Sequence, residues 1–273
     1  MNIPFWKMHG AGNDFILING LSPDSPPVLS TTRIQSLCRP HTGIGADGLI
    51  LVQPSDTTDA HFRMQFFNPD GHEASMCGNG ARCVARFAHE QGLAPEQMQF
   101  LTQVGPVQAS VQGSSVTLDM QKPHHIQLNQ ELQLNEKIVH YDFADTGVPH
   151  VVIACADIDD INLKEDGKQI RQHTRFAPEG TNVDFVEIQQ NGSLRIRTYE
   201  RGVEAETLAC GTGVAAAAVT AYLQARVASP VHVHTAGGDT LIITLTRDDN
   251  QISKIQMTGP AEHVFHGHIT LTT

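Results

Sequence analysis

Met76-Cys77-Gly78-Asn79-Gly80-Ala81-Arg82 and Ala209-Cys210-Gly211-Thr212-Gly213-Val214-Ala215 carry the same pattern, Cys-Gly-x-Gly, and each opens a run of helix formers. Both cysteines are therefore expected at a helix N-terminus. There the unpaired amides and the helix dipole favour an anion. A thiol so placed ionises more readily and is a better base or nucleophile than an ordinary cysteine. Two of them point to a two-thiol active site. Inverting a carbon beside a carboxylate needs one group to remove a proton and another, on the opposite face, to return one. A thiolate and a thiol across a cleft meet that need and exchange roles with the direction of reaction. The removed proton is a very weak acid, so the charge left behind needs amide donors, which two helix N-termini supply. The glycines after each cysteine let the backbone approach closely.

The elements that must position these thiols come in two similar series. In the first half, Ile16-Leu17-Ile18 reads as a strand leaving the turn-rich Gly10 to Asp14. Residues 22–30, with three prolines and three serines, read as a surface loop. Thr31 to Cys38 is an expected helix with Thr31 or Thr32 as N-cap, and Leu49 to Val52 is a second strand. Phe62 to Phe66 alternates apolar and polar residues and runs into the turn Asn68-Pro69-Asp70-Gly71. A helix over about 77–91 follows, with Ala81, Val84, Ala85 and Ala88 as its apolar stripe and Gly92 as its stop. Residues 98–120 read as strands and turns.

The second half repeats that order. Tyr141 to Ala154 is strand-like around Gly147-Val148-Pro149-His150. A loop at Pro178 to Asn182 leads into a strand, and Leu194 to Tyr199 alternates and ends at Glu200-Arg201-Gly202. The helix over about 211–226 is apolar on all sides from Val214 to Tyr222, so other structure must wrap it. Thr240 to Thr246 is a further alternating strand. Asn68 precedes Cys77 by nine residues and Glu200 precedes Cys210 by ten. The chain thus reads as an internal duplication. The expected fold is α+β, with two pseudo-symmetric lobes. Each is a curved mixed β-sheet wrapped around a central helix: 1–120, with 264–273 returning to it, and 121–263. The lobes are expected to face each other and to close on substrate.

The chain has 273 residues, 40% hydrophobic and 17% charged, with a net charge of −11. That balance fits a globular protein with a sizeable core and disfavours a nucleic-acid partner, which would need a basic stripe. No apolar run is long enough to span a membrane, and MNIPFWKMHGAGNDF has no signal-peptide core, so a cytoplasmic protein is expected. Five cysteines without a Cys-x-x-Cys pair fit a reduced compartment. Cys38, Cys83 and Cys155 read as small core residues. A disulfide between Cys77 and Cys210 would mark an oxidised, inactive state. No lysine sits in an obvious pyridoxal phosphate motif, so the chemistry reads as cofactor-free.

The ordered motifs resemble the diaminopimelate epimerase family over nearly the whole chain. They are Phe5-Trp6-Lys7-Met8-His9-Gly10-Ala11-Gly12-Asn13-Asp14-Phe15, Phe67-Asn68-Pro69-Asp70-Gly71, Cys77 to Cys83, Tyr199-Glu200-Arg201-Gly202, Ala209 to Gly213 and Met257-Thr258-Gly259. The resemblance implies interconversion of LL- and meso-diaminopimelate without a cofactor, on the route to lysine and cell-wall peptide. It implies Cys77 and Cys210 as the acid/base pair, with His150 and Glu200 tuning the thiols. The amides of Gly78, Asn79, Gly211 and Thr212 would cradle the reacting carboxylate, and Asn13 would be a substrate contact. Asn68, Asn182, Glu200 and Arg201 would grip the distant amino-acid end, since Arg201 can pair a carboxylate bidentately and Glu200 and the asparagine oxygens can accept from an ammonium. A homodimer is implied by the family alone. Gly48 and Val148 depart from one branch of the family, which has glutamine and asparagine there, and Val148 has no side-chain donor.

Five other readings carry less. Gly43-Ile44-Gly45-Ala46-Asp47-Gly48 spells a dinucleotide fingerprint, but a strand rather than a helix is expected after it. His232, His234, His263, His266 and His268 read as surface or packing residues rather than metal ligands. A histidine racemase would have no reason to keep the full clamp. A thiol-disulfide redox protein would carry Cys-x-x-Cys, and a non-catalytic binding relative would have no need of both cysteines.

Overall fold

The computed structural model describes residues 2–22, 29–134, 137–249 and 251–270. Of the expected loop at 22–30, residues 23–28 lie outside the described residues. In chain order the elements are β1 (Asn2–Gly10), β2 (Asn13–Asn19), α1 (Thr31–Cys38), β3 (Gly48–Gln53), β4 (Phe62–Phe67), β5 (Glu73–Ala74), α2 (Gly78–Glu90), β6 (Gln97–Thr102), β7 (Gly105–Gln112), β8 (Ser115–Met120), β9 (His124–Leu134), β10 (Lys137–Asp145), β11 (Pro149–Cys155), α3 (Leu163–Arg171), β12 (Asn182–Ile188), β13 (Leu194–Glu200), β14 (Ala205–Thr207), α4 (Gly211–Leu223), β15 (Val231–His234), β16 (Thr240–Asp248), β17 (Gln251–Pro260) and β18 (Glu262–Thr270). No helix among the described residues is long and apolar enough to cross a membrane.

The chain divides into two compact units. One comprises residues up to 118 together with those from 259 onward; the other is 119–258. The sequence reading places the second boundary a few residues later. The chain enters the first unit earlier because the carbonyls of Pro260 and Ala261 accept from Arg82 and Arg86 of α2. The Ala261 amide also donates to Ser114.

In the first unit the strands run β18-β1-β2-β3-β4-β6-β7-β8. Their pairings are antiparallel, antiparallel, parallel, antiparallel, parallel, antiparallel and antiparallel. In the second unit β9-β10-β11-β12-β13-β15-β16-β17 shows the same series of senses. The short β5 and β14 pair with β4 and β13 and lead into α2 and α4. Each unit is thus a mixed sheet with one central helix, the expected α+β architecture. The duplication is visible strand by strand.

The helices follow the sequence with two corrections. Ser30, not Thr31 or Thr32, caps α1: its hydroxyl accepts from the Arg33 amide at 3.3 Å. That satisfies one of the orphan first-turn donors. The second central helix ends at Leu223 rather than near 226. Ala225, at φ 56°, takes the left-handed conformation that ends a helix, and the Arg226 amide folds back to the Ala221 carbonyl. No glycine announces that stop. Gly92 does announce the stop of α2: at φ 68° it lets the Leu93 amide reach the Ala88 carbonyl.

The cores form where the patterns say. β4 alternates buried and half-buried from Phe62, and Phe62 stacks on Phe100 of parallel β6 at 5.0 Å between ring centres. Such a pair adds about 0.5–1.5 kcal/mol beyond its burial. α2 packs on β1, β2, β3, β4 and β7; α4 packs on β10, β11, β12, β13, β15 and β16. Residues from Gly213 to Ala221 are all buried, so α4 is enclosed around its circumference. Ala217→Leu should therefore cost at least about 1–3 kcal/mol in overpacking. A urea midpoint unchanged by this substitution would show that α4 is not enclosed.

Candidate active site

Each cysteine is the N-cap of its unit's central helix. Cys77 (φ −137°, ψ 119°) and Cys210 (φ −113°, ψ 107°) are extended, half-buried residues whose carbonyls accept the first helical bonds, from Ala81 and Val214. Neither first turn contains an acidic residue. The first-turn amides of Gly78, Asn79, Gly211 and Thr212 therefore face no carboxylate of their own helix and suit an anion.

Around Cys210 the side chains form a continuous bonded series. The Cys210 sulfur lies 3.4 Å from Thr212 Oγ1, which lies 2.9 Å from His150 Nε2. His150 Nδ1 is 2.7 Å from Asp184 Oδ2, and Thr198 Oγ1 donates to Asp184 Oδ1 at 2.7 Å. The His150 and Asp184 side chains have no exposed surface. Burial alone would depress the His150 imidazolium. The Asp184 charge and hydrogen bond outweigh it, with a smaller contribution from Cys210, and push the pKa up to about 10. β11 and β12 run parallel with His150 beside Asn182, which brings the ring within reach of Asp184 two residues further on. Gly213 is forced by this arrangement: an added Cβ would stand 2.5 Å from Asp184 Oδ1.

Glu200 lies at the end of β13, and its Oε2 accepts from Thr207 Oγ1 at 2.8 Å. Burial raises its pKa, against the Thr207 bond and the His150 charge, while Asp184 adds to the rise. Asn182 is buried and acts as a brace: its Oδ1 accepts from the Arg201 amide at 2.8 Å and its Nδ2 donates to the Pro149 carbonyl at 3.2 Å. The Arg201 guanidinium reaches the carbonyls of Glu179 and Gly180 at 3.4 and 3.5 Å.

Near Cys77 the bonded side chains are amides joined to charged groups. Asn79 Nδ2 donates to Asn13 Oδ1 at 2.8 Å, and Asn13 Nδ2 donates to Asp47 Oδ2 at 2.7 Å. Arg82, wholly buried one turn along α2, donates to Asn79 Oδ1 at 2.9 Å. Lys7 pairs with Asp14 at 2.8 Å and donates to the Gly45 carbonyl. Asn68 is exposed in the turn before β5, where its amide and carbonyl bond His72 and Gly71.

The departures noted in the sequence have physical reasons. A Cβ at Gly48 would lie 2.5 Å from the Phe66 ring and 2.7 Å from the Phe67 carbonyl, so no side chain fits there. Val148 contributes its carbonyl, which accepts from the Thr146 amide at 3.3 Å. The dinucleotide reading of 43–48 fails on geometry. The amides of Ile44, Gly45 and Ala46 cap the last carbonyls of α1, and β3 follows instead of a helix. Among the described residues, the one grouping of metal-ligand types is His124, His125 and Asp145, two exposed and one half-buried.

Asp184, Thr198, Asp47, Lys7 and Arg82 were not singled out in the sequence. Asp184 had a signal: a carboxylate inside the apolar run Val183-Asp184-Phe185-Val186 must have a buried partner. Arg82, inside an otherwise apolar helix stripe, carried the same signal.

The remaining thiols are set apart by burial, which pushes Cys38 up to about 11 and Cys83 up to about 12, and also raises Cys155. With limiting iodoacetamide at mildly alkaline pH, Cys77 and Cys210 should be labelled well before Cys38 and Cys83 in a peptide mass map. Equal labelling of Cys83 would refute this assignment.

The diaminopimelate epimerase family profile matches residues 5–126 and 143–264, once in each half. A diaminopimelate epimerase of Hydrogenobaculum sp. is 42% identical, covering 97% of both chains. That of Chlorobaculum tepidum is 41% identical over 97% of this chain and all of its own. Among solved structures, a probable proline racemase from Agrobacterium radiobacter shares the fold at TM-score 0.73 and 16% identity, covering 99% of this chain and 93% of that one. A Bacillus anthracis protein of the PhzF family does so at 0.70 and 14%, covering 99% and 100%. The motifs, the doubled topology and these matches lead to one assignment: the chain belongs to the diaminopimelate epimerase family.

Proposed function

We propose that the protein interconverts LL- and meso-diaminopimelate by two-thiol acid/base catalysis, supplying lysine and peptidoglycan precursor synthesis. The observation that carries this reading is the pair of half-buried cysteines. Each caps a central helix whose first turn is free of acidic residues. The reaction runs as follows. The thiolate of Cys77 or Cys210 takes the α-proton from one face of the substrate carbon. Electron density moves into the carboxylate, where the amides of Gly78, Asn79, Gly211 and Thr212 donate to the developing charge. The other cysteine, as a thiol, gives its proton to the opposite face. The α-proton ends on the first sulfur, and the pair is left with exchanged protonation, ready for the reverse direction.

His150 and Glu200 adjust the charge around Cys210, and Asn13 holds Asn79 in place. Asn68, Glu200 and Arg201 bind the distant amino-acid end. The Asn182 brace sets the Arg201 backbone. The bonding of Asn13 and Asn182 within their own units favours positioning roles for both. The chemistry as written uses no cofactor. We further place the enzyme in the cytoplasm, as a homodimer.

The test is proton exchange in heavy water, with loss of the α-proton signal followed by NMR for LL-diaminopimelate and, separately, for L-histidine. Exchange and inversion are expected with diaminopimelate alone. Cys77→Ala and Cys210→Ala should each lower the inversion rate by about 10²–10⁴-fold or more. Exchange with histidine alone would move the protein to the racemase reading. Silence on both substrates with reduced thiols would overturn the proposal.

A further inference from the structure

The series Asp184–His150–Thr212–Cys210 fixes the direction of its own hydrogen bonds. Asp184, as a carboxylate, only accepts, and both its oxygens are engaged: Oδ1 by the Thr198 hydroxyl and Oδ2 by His150 Nδ1. Nδ1 therefore carries a proton. When Nε2 also carries one, it donates to Thr212 Oγ1 at 2.9 Å. The single hydroxyl proton of Thr212 is then turned away from the ring, and the Cys210 sulfur stands 3.4 Å from that oxygen. Thr212 is itself held, because its carbonyl accepts from Thr146 Oγ1 at 2.8 Å.

We propose that Asp184 and the Thr212 hydroxyl are positioning residues for Cys210: Asp184 locks the His150 ring with its Nε2 proton on Thr212, and Thr212 in turn presents its own proton to the sulfur. The inference rests on the two-thiol reading in taking Cys210 as a reacting group. The array offers this sulfur a proton donor at the end of a cationic relay, which supports it as an acceptor. The raised pKa of His150, set mainly by Asp184 against burial, agrees with this direction. The packing agrees too, since Gly213 leaves room for nothing between α4 and the Asp184 carboxylate.

The counterpart in the first unit is different in kind. Asn79, at the same helix position as Thr212, is bonded to Asn13 and Arg82. Asp184, His150 and Thr212 all belong to the unit that carries Cys210, so removal of the relay should act on Cys210. The titratable groups facing His150 are Asp184 from β12, Glu200 from β13 and Cys210 at the start of α4. β10 places the uncharged Ala144 opposite it.

The experiment measures alkylation of each cysteine by iodoacetamide, by mass spectrometry of the full chain without substrate. It compares the wild type with Thr212→Val, Thr212→Ser and Asp184→Asn across neutral pH. Thr212→Val and Asp184→Asn should slow Cys210 labelling about tenfold, the size of one charge-assisted hydrogen bond, while Cys77 keeps its rate. Thr212→Ser, which restores the hydroxyl, should restore the Cys210 rate. Wild-type labelling in Thr212→Val, or a Ser variant as slow as Val, would overturn the inference. If Asp184→Asn unfolds, as a thermal melt would reveal, the Val and Ser pair decides alone. Because no substrate enters, the expected labelling pattern in a protein without diaminopimelate activity would retire the epimerase reading and leave the array standing.

Discussion

A helix enclosed around its whole circumference can meet solvent only at its ends, and this constraint shapes both units. α4 buries every residue from Gly213 to Ala221, and α2 buries nine positions from Asn79 to Ala88. Their interior amides are satisfied within the helix, but the first turn leaves donors unmet. Burying those donors without partners would cost roughly 1–3 kcal/mol each. The enclosing sheet must therefore leave the N-terminus open or supply a partner for it. A half-buried cysteine at the N-cap, followed by glycine, sits at that opening. The two thiols occupy the place where the fold could not close.

The same constraint explains the small residues. A sheet wrapped closely on a helix leaves space for alanine and glycine where the axis passes nearest, as at Ala215 to Ala218. Gly80 has the Ile50 side chain 2.9 Å from where a Cβ would be, and Gly213 has the Asp184 carboxylate at 2.5 Å. The second glycine of each Cys-Gly-x-Gly motif is thus a packing requirement, whereas the first adjoins the thiol. A pattern that reads as one motif answers two separate demands.

Much of this was legible in the chain. Alternation at Phe62 to Phe66 and Thr240 to Thr246 gave strands whose burial follows the pattern, and the all-apolar run from Val214 to Tyr222 required enclosure. The repeated Cys-Gly-x-Gly located both N-caps. Other features were not legible. The end of α4 rests on Ala225 in a left-handed conformation that glycine usually marks. α3 has only Leu163 and Ile170 as a short apolar signal among charges, too little to mark a helix. Side-chain partnerships across the sheet, such as His150 with Asp184, depend on strand order and register, which no local pattern encodes. The bonds of Asn13 to Asn79 and Asp47, and of Asn182 to Arg201 and Pro149, likewise follow from register rather than from any local pattern.

The two units repeat a backbone but not a chemistry. Topology is conserved to the sense of every pairing, while one N-cap is backed by Asn79, Asn13 and Asp47 and the other by Thr212, His150 and Asp184. A two-base inversion demands that its two groups differ in protonation at every instant. Two identical supports would leave the choice of base to the substrate alone. The first series ends on the Asp47 carboxylate and takes Arg82 at Asn79, whereas the second carries an imidazole whose pKa the buried Asp184 carboxylate holds up. Divergence of the side chains on a repeated frame is therefore one source of the inequality that a two-base inversion needs.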